Sequence, residues 1–139
     1  MINSIAVEEQ IVLSEKNVIF NDNQVRTRSS YNPFRGWLDY TQANGNYLIT
    51  KPGVYRIHYN ANLTADDKIV ARLGIIANGK VLEGSQTETF ITEPTLYHSL
   101  SATTLVRVSP YSTLPISLEN LSEDKVTIKE ASIIIDKVA

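Results

Sequence analysis

Cysteine is absent from this 139-residue chain, and its absence excludes several kinds of chemistry. The chain has no disulfide framework, no thiolate nucleophile and no thiolate metal site. Histidine is scarce as well: only His58 and His98 are present, and neither has a second histidine or a carboxylate at a metal-ligand spacing. Each histidine is therefore interpreted as a strand residue, at the surface or partly buried, rather than as a catalytic group.

Long apolar runs and a strong charge of either sign are also missing. No apolar segment approaches the roughly 20 residues that cross a bilayer. The net charge of −2 gives no reason to expect a nucleic-acid partner. Residues 1–9 lack the basic start and the apolar core of a signal peptide. We therefore expect synthesis in the cytoplasm without a signal peptide, no membrane insertion and no nucleic-acid binding.

The clearest local signal is a strict alternation of side chains over residues 53–63. The segment follows the turn sequence Lys51-Pro52-Gly53, and its apolar residues occupy every second position. Side chains of a strand alternate between two faces, so this pattern predicts a long β-strand with one buried and one polar face. Tyr55, Ile57 and Tyr59 lie on the buried face in this interpretation, whereas Arg56, His58 and Asn60 point outward.

Short strands and turns account for most of the remaining sequence. Asn-Gly dipeptides at 44–45 and 78–79 each stand between strand-like segments, as expected of hairpin turns. A weak pattern favours a helix around Ile5–Leu13, and Glu83–Pro94 is interpreted as a polar loop. Many short strands predict one all-β domain over residues 1–139. Its expected core is Tyr55, Ile57, Tyr59, Leu73, Ile75, Val106, Val108, Ile116 and Leu118.

Motifs that would indicate catalysis do not occur. No serine lies in Gly-x-Ser-x-Gly, and no glycine-rich phosphate loop exists. Adjacent carboxylates at 66–67 and 123–124 fit solvated turn charges. The alternative for them is a Ca²⁺ site, since hard cations bind clustered oxygen ligands in loops. We expect no enzymatic activity, no cofactor and no metal needed for folding.

Aromatic and basic side chains occur together in the stretch before the first Asn-Gly dipeptide. Tyr31, Arg35 and Trp37 form a candidate patch for an anionic or sugar ligand. The alternative is an exposed loop around one buried tryptophan.

Several segments resemble one known family. Residues 47–59, Tyr-Leu-Ile-Thr-Lys-Pro-Gly-Val-Tyr-Arg-Ile-His-Tyr, resemble the Ile-x-x-x-Gly-x-Tyr-x-Ile/Phe-x-Tyr strand of the C1q/TNF-like jelly-roll superfamily, above all its bacterial and phage members. Segments 18–20, 71–80, 100–118 and 129–135 resemble further strands of that family in the expected order. Two departures occur: Pro110-Tyr111-Ser112 stands where the family has a Gly-Asp turn, and the last strand lacks an aromatic signature.

This resemblance implies a two-sheet antiparallel jelly-roll sandwich that forms a homotrimer, here as a head domain without a collagen stalk. In the family fold, the outward face of strand 53–63 points toward the three-fold axis. The residues expected at the trimer interface are therefore Val54, Arg56, His58, Asn60, Leu105 and Arg107. Three copies of His58 would approach one another at that axis.

The resemblance also implies a role as a structural module on a particle. The expected settings are a phage fibre, a capsid decoration or a spore surface layer, with other virion or spore-coat proteins as partners. The alternative is a carbohydrate- or receptor-binding head that uses loop aromatics to bind surface glycans. Residues 1–17 are interpreted as an N-terminal segment that is irregular or serves in attachment.

Overall fold

The computed structural model describes residues 1–26, 38–41 and 44–139, with the strands at 22–26 and 38–41 described as backbone only. In these residues the chain forms β-strands and no helix, which confirms the all-β prediction. The strands are β1 Ile2–Ala6, β2 Gln10–Val12, β3 Asp22–Arg26, β4 Leu38–Thr41, β5 Asn46–Ile49, β6 Gly53–Thr64, β7 Val70–Ala77, β8 Lys80–Val81, β9 Thr87–Phe90, β10 His98–Val108, β11 Leu114–Asn120 and β12 Val126–Lys137.

The strands form two antiparallel sheets that pack face to face. Sheet A has the order β10-β6-β12-β1-β3, and β2 pairs with the free part of β12. Sheet B has the order β4-β5-β11-β7-β8, and β9 pairs with β7. Strands far apart in sequence are neighbours in both sheets, so the fold depends on long-range pairing. Where the structure describes the chain, no helix is long and apolar enough to cross a membrane.

The core lies between the two sheets, and the alternation of β6 supplies its centre. Tyr55, Ile57 and Tyr59 are fully buried, as the sequence pattern predicts. Of the nine residues expected in the core, eight are buried and only Val106 is not. Val106 packs against the core but stays partly exposed, because β10 is the last strand of sheet A and, among the described strands, none pairs with its outer side.

The two Asn-Gly turns are confirmed as hairpin connections. Asn78 and Gly79 have φ angles of 52° and 80°, and Ala77 pairs with Lys80 on either side of them. Gly45 has a φ angle of 70° and precedes β5, which pairs with β4. Both glycines occupy the left-handed region that other residues adopt only with strain.

Two secondary-structure predictions are wrong. The segment Ile5–Leu13 is not helical but contains the end of β1 and all of β2. Ser4 is completely buried within β1, so the alternation there includes a polar residue and is hard to detect. The segment Glu83–Pro94 is not only a loop, since β9 lies within it. Its threonines are half-buried and its other residues exposed, which gives a polar strand at the sheet edge.

Candidate functional site

Three long neighbouring strands, β10, β6 and β12, build the outer face of sheet A. β10 pairs with β6 along its whole length, from His98 opposite Leu63 to Val108 opposite Gly53. β12 pairs with the other side of β6, with a shift in register between Ile128 and Glu130. Because directly opposed residues point to the same side of a sheet, the outward side chains of the three strands form continuous rows.

All six side chains assigned to an interface from the sequence lie on this outer face. Four come from β6 and two from β10: Val54, Arg56, His58, Asn60, Leu105 and Arg107. The register places Leu105 opposite Arg56 and Arg107 opposite Val54. The structure thus brings the six together, and their role in assembly stays a prediction.

The charged and titratable groups in the middle of the face are bonded within the chain. Arg56 Nη2 lies 2.9 Å from Asp136 Oδ2, and this ion pair joins β6 to β12. His58 Nδ1 lies 2.7 Å from Thr103 Oγ1 across the β6–β10 pairing. An exposed ion pair of this kind contributes little to stability, about 0–1 kcal/mol. Its main effect is to fix the orientation of the two side chains.

Further polar residues complete a hydrogen-bonded band toward the other end of β6. Ser99 Oγ donates to Asn60 Oδ1 at 3.0 Å, and Asn62 Nδ2 donates to Glu130 Oε1 at 2.8 Å. A cleft of about 200 Å³ lies beside Asn60, Asn62 and Glu130, with Ile5 as part of its apolar wall. Sequence reasoning missed Glu130, because Asn62 and Glu130 are 68 residues apart in the sequence and only the β6–β12 pairing brings them together.

Exposed apolar side chains follow the two margins of this face. On one margin Val7 and Ile11 are each 63% exposed, and Ile11 is paired with Thr127 of β12. On the other margin Leu105 is 59% exposed. Tyr97, just before β10, is also exposed and lies 5.5 Å below the Lys129 ammonium group. The face is therefore mainly polar, with an apolar patch at Val7 and Ile11 on one side and a single exposed apolar side chain, Leu105, in the otherwise polar outward row of β10.

The β10 margin is an edge strand without the usual protection. Natural sheet edges carry charges, prolines or bulges that prevent pairing with another chain. From Ser99 to Val106 the strand has no charged residue and no proline. Its register with β6 is continuous over eleven residue pairs. In the part of the chain that the structure describes, no strand pairs with this edge, so its backbone groups are open to another chain.

Comparisons with known proteins locate this architecture among solved structures. No family profile matches the sequence. No curated protein matches it either. Among solved structures, Eiger TNF from S. frugiperda matches over 99% of this chain and 92% of its own, at 12% identity and a TM-score of 0.63.

Two further solved structures match over nearly the whole length of the chain. The globular domain of zebrafish complement 1qA protein covers 96% of this chain and 94% of its own, at 12% identity and a TM-score of 0.53. Pika GITRL covers 100% of both chains, at 11% identity and a TM-score of 0.50. The chain has the C1q/TNF-like jelly-roll fold. Identities this low show the fold alone.

One candidate ligand patch of the C1q/TNF-like domain falls where the structure gives no description. Tyr31, Arg35 and Trp37 lie outside the described residues. Their role as a ligand patch stays a prediction.

The carboxylate pairs of the C1q/TNF-like domain do not gather into a metal site. Asp66 Oδ2 lies 3.5 Å from Lys125 Nζ, so a cation of the chain itself already stands beside that carboxylate. Within residues 1–26, 38–41 and 44–139, no group of three or more potential metal ligands occurs. The arrangement of Asp66, Asp67, Glu123 and Asp124 fits the interpretation as solvated turn charges.

The two histidines of the C1q/TNF-like sandwich lie on opposite faces of sheet A. His58 points outward, whereas His98 turns inward, with its Nδ1 3.2 Å from Thr89 Oγ1. Each ring has a threonine hydroxyl as its bonded neighbour, and no carboxylate of the described residues forms an ion pair with either ring. These contacts orient the rings without creating an acid–base pair.

Proposed function

We propose that this chain is a non-enzymatic structural head that forms a homotrimer through the outer face of sheet A, on the surface of a virion or spore. The observation that carries the assembly is the pattern of that face, with exposed apolar side chains at Val7 and Ile11 on one side of a polar band and at Leu105 on the other. The polar groups of the band already bond one another, so burying them against a partner sacrifices few hydrogen bonds. Covering the margins removes apolar surface from water.

The position of the margins favours a ring over a two-fold dimer. A two-fold interface uses the same patch on both subunits, whereas a cyclic assembly joins two different patches of each subunit. The β10 margin, with Leu105, and the β1–β2 margin, with Val7 and Ile11, are different patches on opposite sides of one face. The number three comes from the resemblance to the C1q/TNF-like superfamily.

Sedimentation velocity of two matched variants tests the assembly. Leu105→Lys places a charge on the outer face of sheet A, and Val81→Lys places the same charge on β8 of sheet B, where the side chain is 43% exposed. The wild type and Val81→Lys should sediment as trimers. The concentration below which the trimer dissociates should be about 30-fold higher or more for Leu105→Lys than for the wild type, because a buried lysine has no partner there.

Two outcomes contradict the proposed assembly. The first is a wild-type chain that sediments as a monomer at every concentration, which would show that the chain does not self-assemble. Equal dissociation of both lysine variants would move the interface away from the outer face of sheet A.

The particle surface is a separate part of the proposal and needs its own test. The support for it is the resemblance of residues 47–59 to bacterial and phage members of the superfamily. Mass spectrometry of purified virions and spores from the source organism should detect the chain, and antibody labelling should place it on the outside. Recovery of the chain only from the cell interior would contradict this location while leaving the assembly in place.

A further inference from the structure

The loop between β10 and β11 presents a tyrosine in a strained conformation. Tyr111 has a φ angle of 62°, in the left-handed region where a bulky residue is an outlier. Ser112 N donates to Ser109 O at 3.2 Å, which closes the turn around Tyr111. The side chain is fully exposed, with 107% of its reference surface open to water. Glycine would adopt this backbone conformation without strain.

Folding does not explain why a tyrosine occupies this position. The aromatic ring gains nothing from burial, and the structure shows no hydrogen bond from its hydroxyl to any described residue. The chain therefore keeps a residue that strains the turn and exposes an apolar ring. Backbone strain of this kind clusters at functional sites, so the outlier makes a functional role of Tyr111 a hypothesis to examine.

A cleft of about 350 Å³ opens at the base of the same loop. Its walls are mostly apolar and come from three segments: residues 52–54, residues 107–110 and Ala139. Arg107 contributes the one charged side chain of the lining, and it forms no ion pair with any described residue. A free guanidinium beside an apolar cleft is a ready partner for a carboxylate, which it binds through two parallel hydrogen bonds.

The surroundings of the cleft strengthen its preference for an anion. The Lys137 Cε atom lies 2.8 Å from the position that a Cβ atom would occupy at Gly53, and the backbone oxygen of Ala139 lies 2.7 Å from the same position. The nearest carboxylate on β12, Asp136, is already paired with Arg56 at 2.9 Å. The cationic side chain of the cleft is thus Arg107, the neighbouring Asp136 is already paired, and opposite charges attract most strongly where water is partly excluded.

We propose that Tyr111 and Arg107 form a binding site for an acidic saccharide. The apolar C–H face of a sugar ring would pack against the exposed Tyr111 ring, and its carboxylate would bind the Arg107 guanidinium. The hydroxyls of Ser109 and Ser112 would bond sugar hydroxyl groups. The cleft lies within the size range of small-molecule sites, which begins at about 300 Å³. Arg107 then serves the ligand rather than the assembly interface for which the sequence suggested it.

Binding of a glucuronate-containing disaccharide, measured by isothermal titration calorimetry and NMR, tests the site. The glucose-containing analogue, which lacks the carboxylate, is the matched ligand. The acidic disaccharide should bind with a Kd of about 1 mM or lower, and the neutral one about tenfold more weakly. Arg107→Gln should reduce the affinity for the acidic ligand to that for the neutral one. Lys68→Gln, in the loop at the opposite end of β6, should change neither affinity.

Tyr111→Gly separates binding from folding. Glycine relieves the backbone strain at φ 62°, so this variant should melt at a higher temperature than the wild type. It should nevertheless bind the acidic disaccharide about tenfold more weakly, because the stacking surface is gone. Tyr111→Phe keeps the ring and should retain most of the affinity. A merely structural tyrosine would not combine higher stability with weaker binding.

Several results would overturn the saccharide site. These are no binding of the acidic disaccharide, equal affinity for the two disaccharides, or unchanged affinity in Tyr111→Gly. An acidic peptide of equal charge that binds as tightly would assign the site to proteins instead. Sedimentation of each variant keeps this test apart from the assembly: Tyr111→Gly, in the loop after β10, should leave the trimer intact, and the affinity of Arg107→Gln is measured at a concentration where it sediments like the wild type.

Discussion

The hydroxyl group of Tyr59 connects the centre of the core to the loop that precedes β9. It donates a hydrogen bond to Ser85 O at 2.6 Å, and it lies 2.7 Å from Thr87 Oγ1. Ser85 is itself fully buried and its Oγ donates to Leu82 O. Burial raises the pKa of the Tyr59 phenol above its usual value of 10.0, and the hydrogen bond with Thr87 partly opposes this effect.

Tyr59→Phe should destabilise the protein near neutral pH by about 1–3 kcal/mol, because Ser85 O loses its donor inside the core. The difference in unfolding free energy between the wild type and Tyr59→Phe should shrink above pH 10. There the unfolded tyrosine ionises while the folded one keeps its proton, so the wild type loses stability as pH rises. Phenylalanine lacks this loss. Urea unfolding of both proteins at pH about 7 and about 11 measures the effect; a constant difference would contradict it.

The two Asn-Gly turns differ in what surrounds each glycine, although the dipeptides are identical. A Cβ atom at Gly45 would stand 2.5 Å from the backbone oxygen of Val18, too close for any side chain. A Cβ atom at Gly79 would meet nothing within 4 Å. Both glycines have positive φ angles, 70° and 80°, so the conformational strain of a substitution is similar at the two positions.

Gly79→Ala should therefore cost about 1–2 kcal/mol, the strain of the left-handed conformation alone. Gly45→Ala adds a steric conflict with backbone atoms and should cost about 2–4 kcal/mol. Chemical denaturation of the two variants provides the comparison, and each serves as the control for the other. Equal losses of unfolding free energy in the two variants would mean that the backbone at Val18 moves away from residue 45 with little loss of stability.

Among the strands, those with an apolar alternation could be predicted, and those that bury polar residues could not. β6 shows a strict apolar alternation, and its core and outward residues follow from the sequence. β1 buries Ser4, and β9 has a half-buried threonine at each inner position, so neither shows the apolar signal of a strand. The neighbours of β6 on the outer face depend on pairing between segments far apart in the sequence. The positive φ angle of Tyr111 is a local backbone strain, and the sequence pattern shows neither feature.

At the scale of the whole molecule, the exposed β10 edge and the exposed apolar side chains of sheet A both raise the question of whether the chain folds alone or as part of a trimer. Fold stability and assembly are coupled if the chain forms a trimer, because binding to two other copies stabilises the folded state by mass action. A domain of this size that folds alone has a melting temperature independent of its concentration. Dilution therefore distinguishes the two cases without any substitution.

For a trimer that unfolds to three chains, a tenfold dilution reduces the free energy of unfolding by about 0.9 kcal/mol per chain, two-thirds of RT ln 10. The unfolding entropy of a chain of this length is about 0.3 kcal/mol/K, so Tm should fall by about 3 °C for each tenfold dilution. Leu105→Lys should lose this dependence at the concentrations where its chains have separated, whereas Val81→Lys should keep it over the same range as the wild type. Differential scanning calorimetry over a hundredfold range of concentration measures the slope. A wild-type Tm that stays constant over this range would mean that the domain folds as a monomer and leaves the β10 edge uncovered.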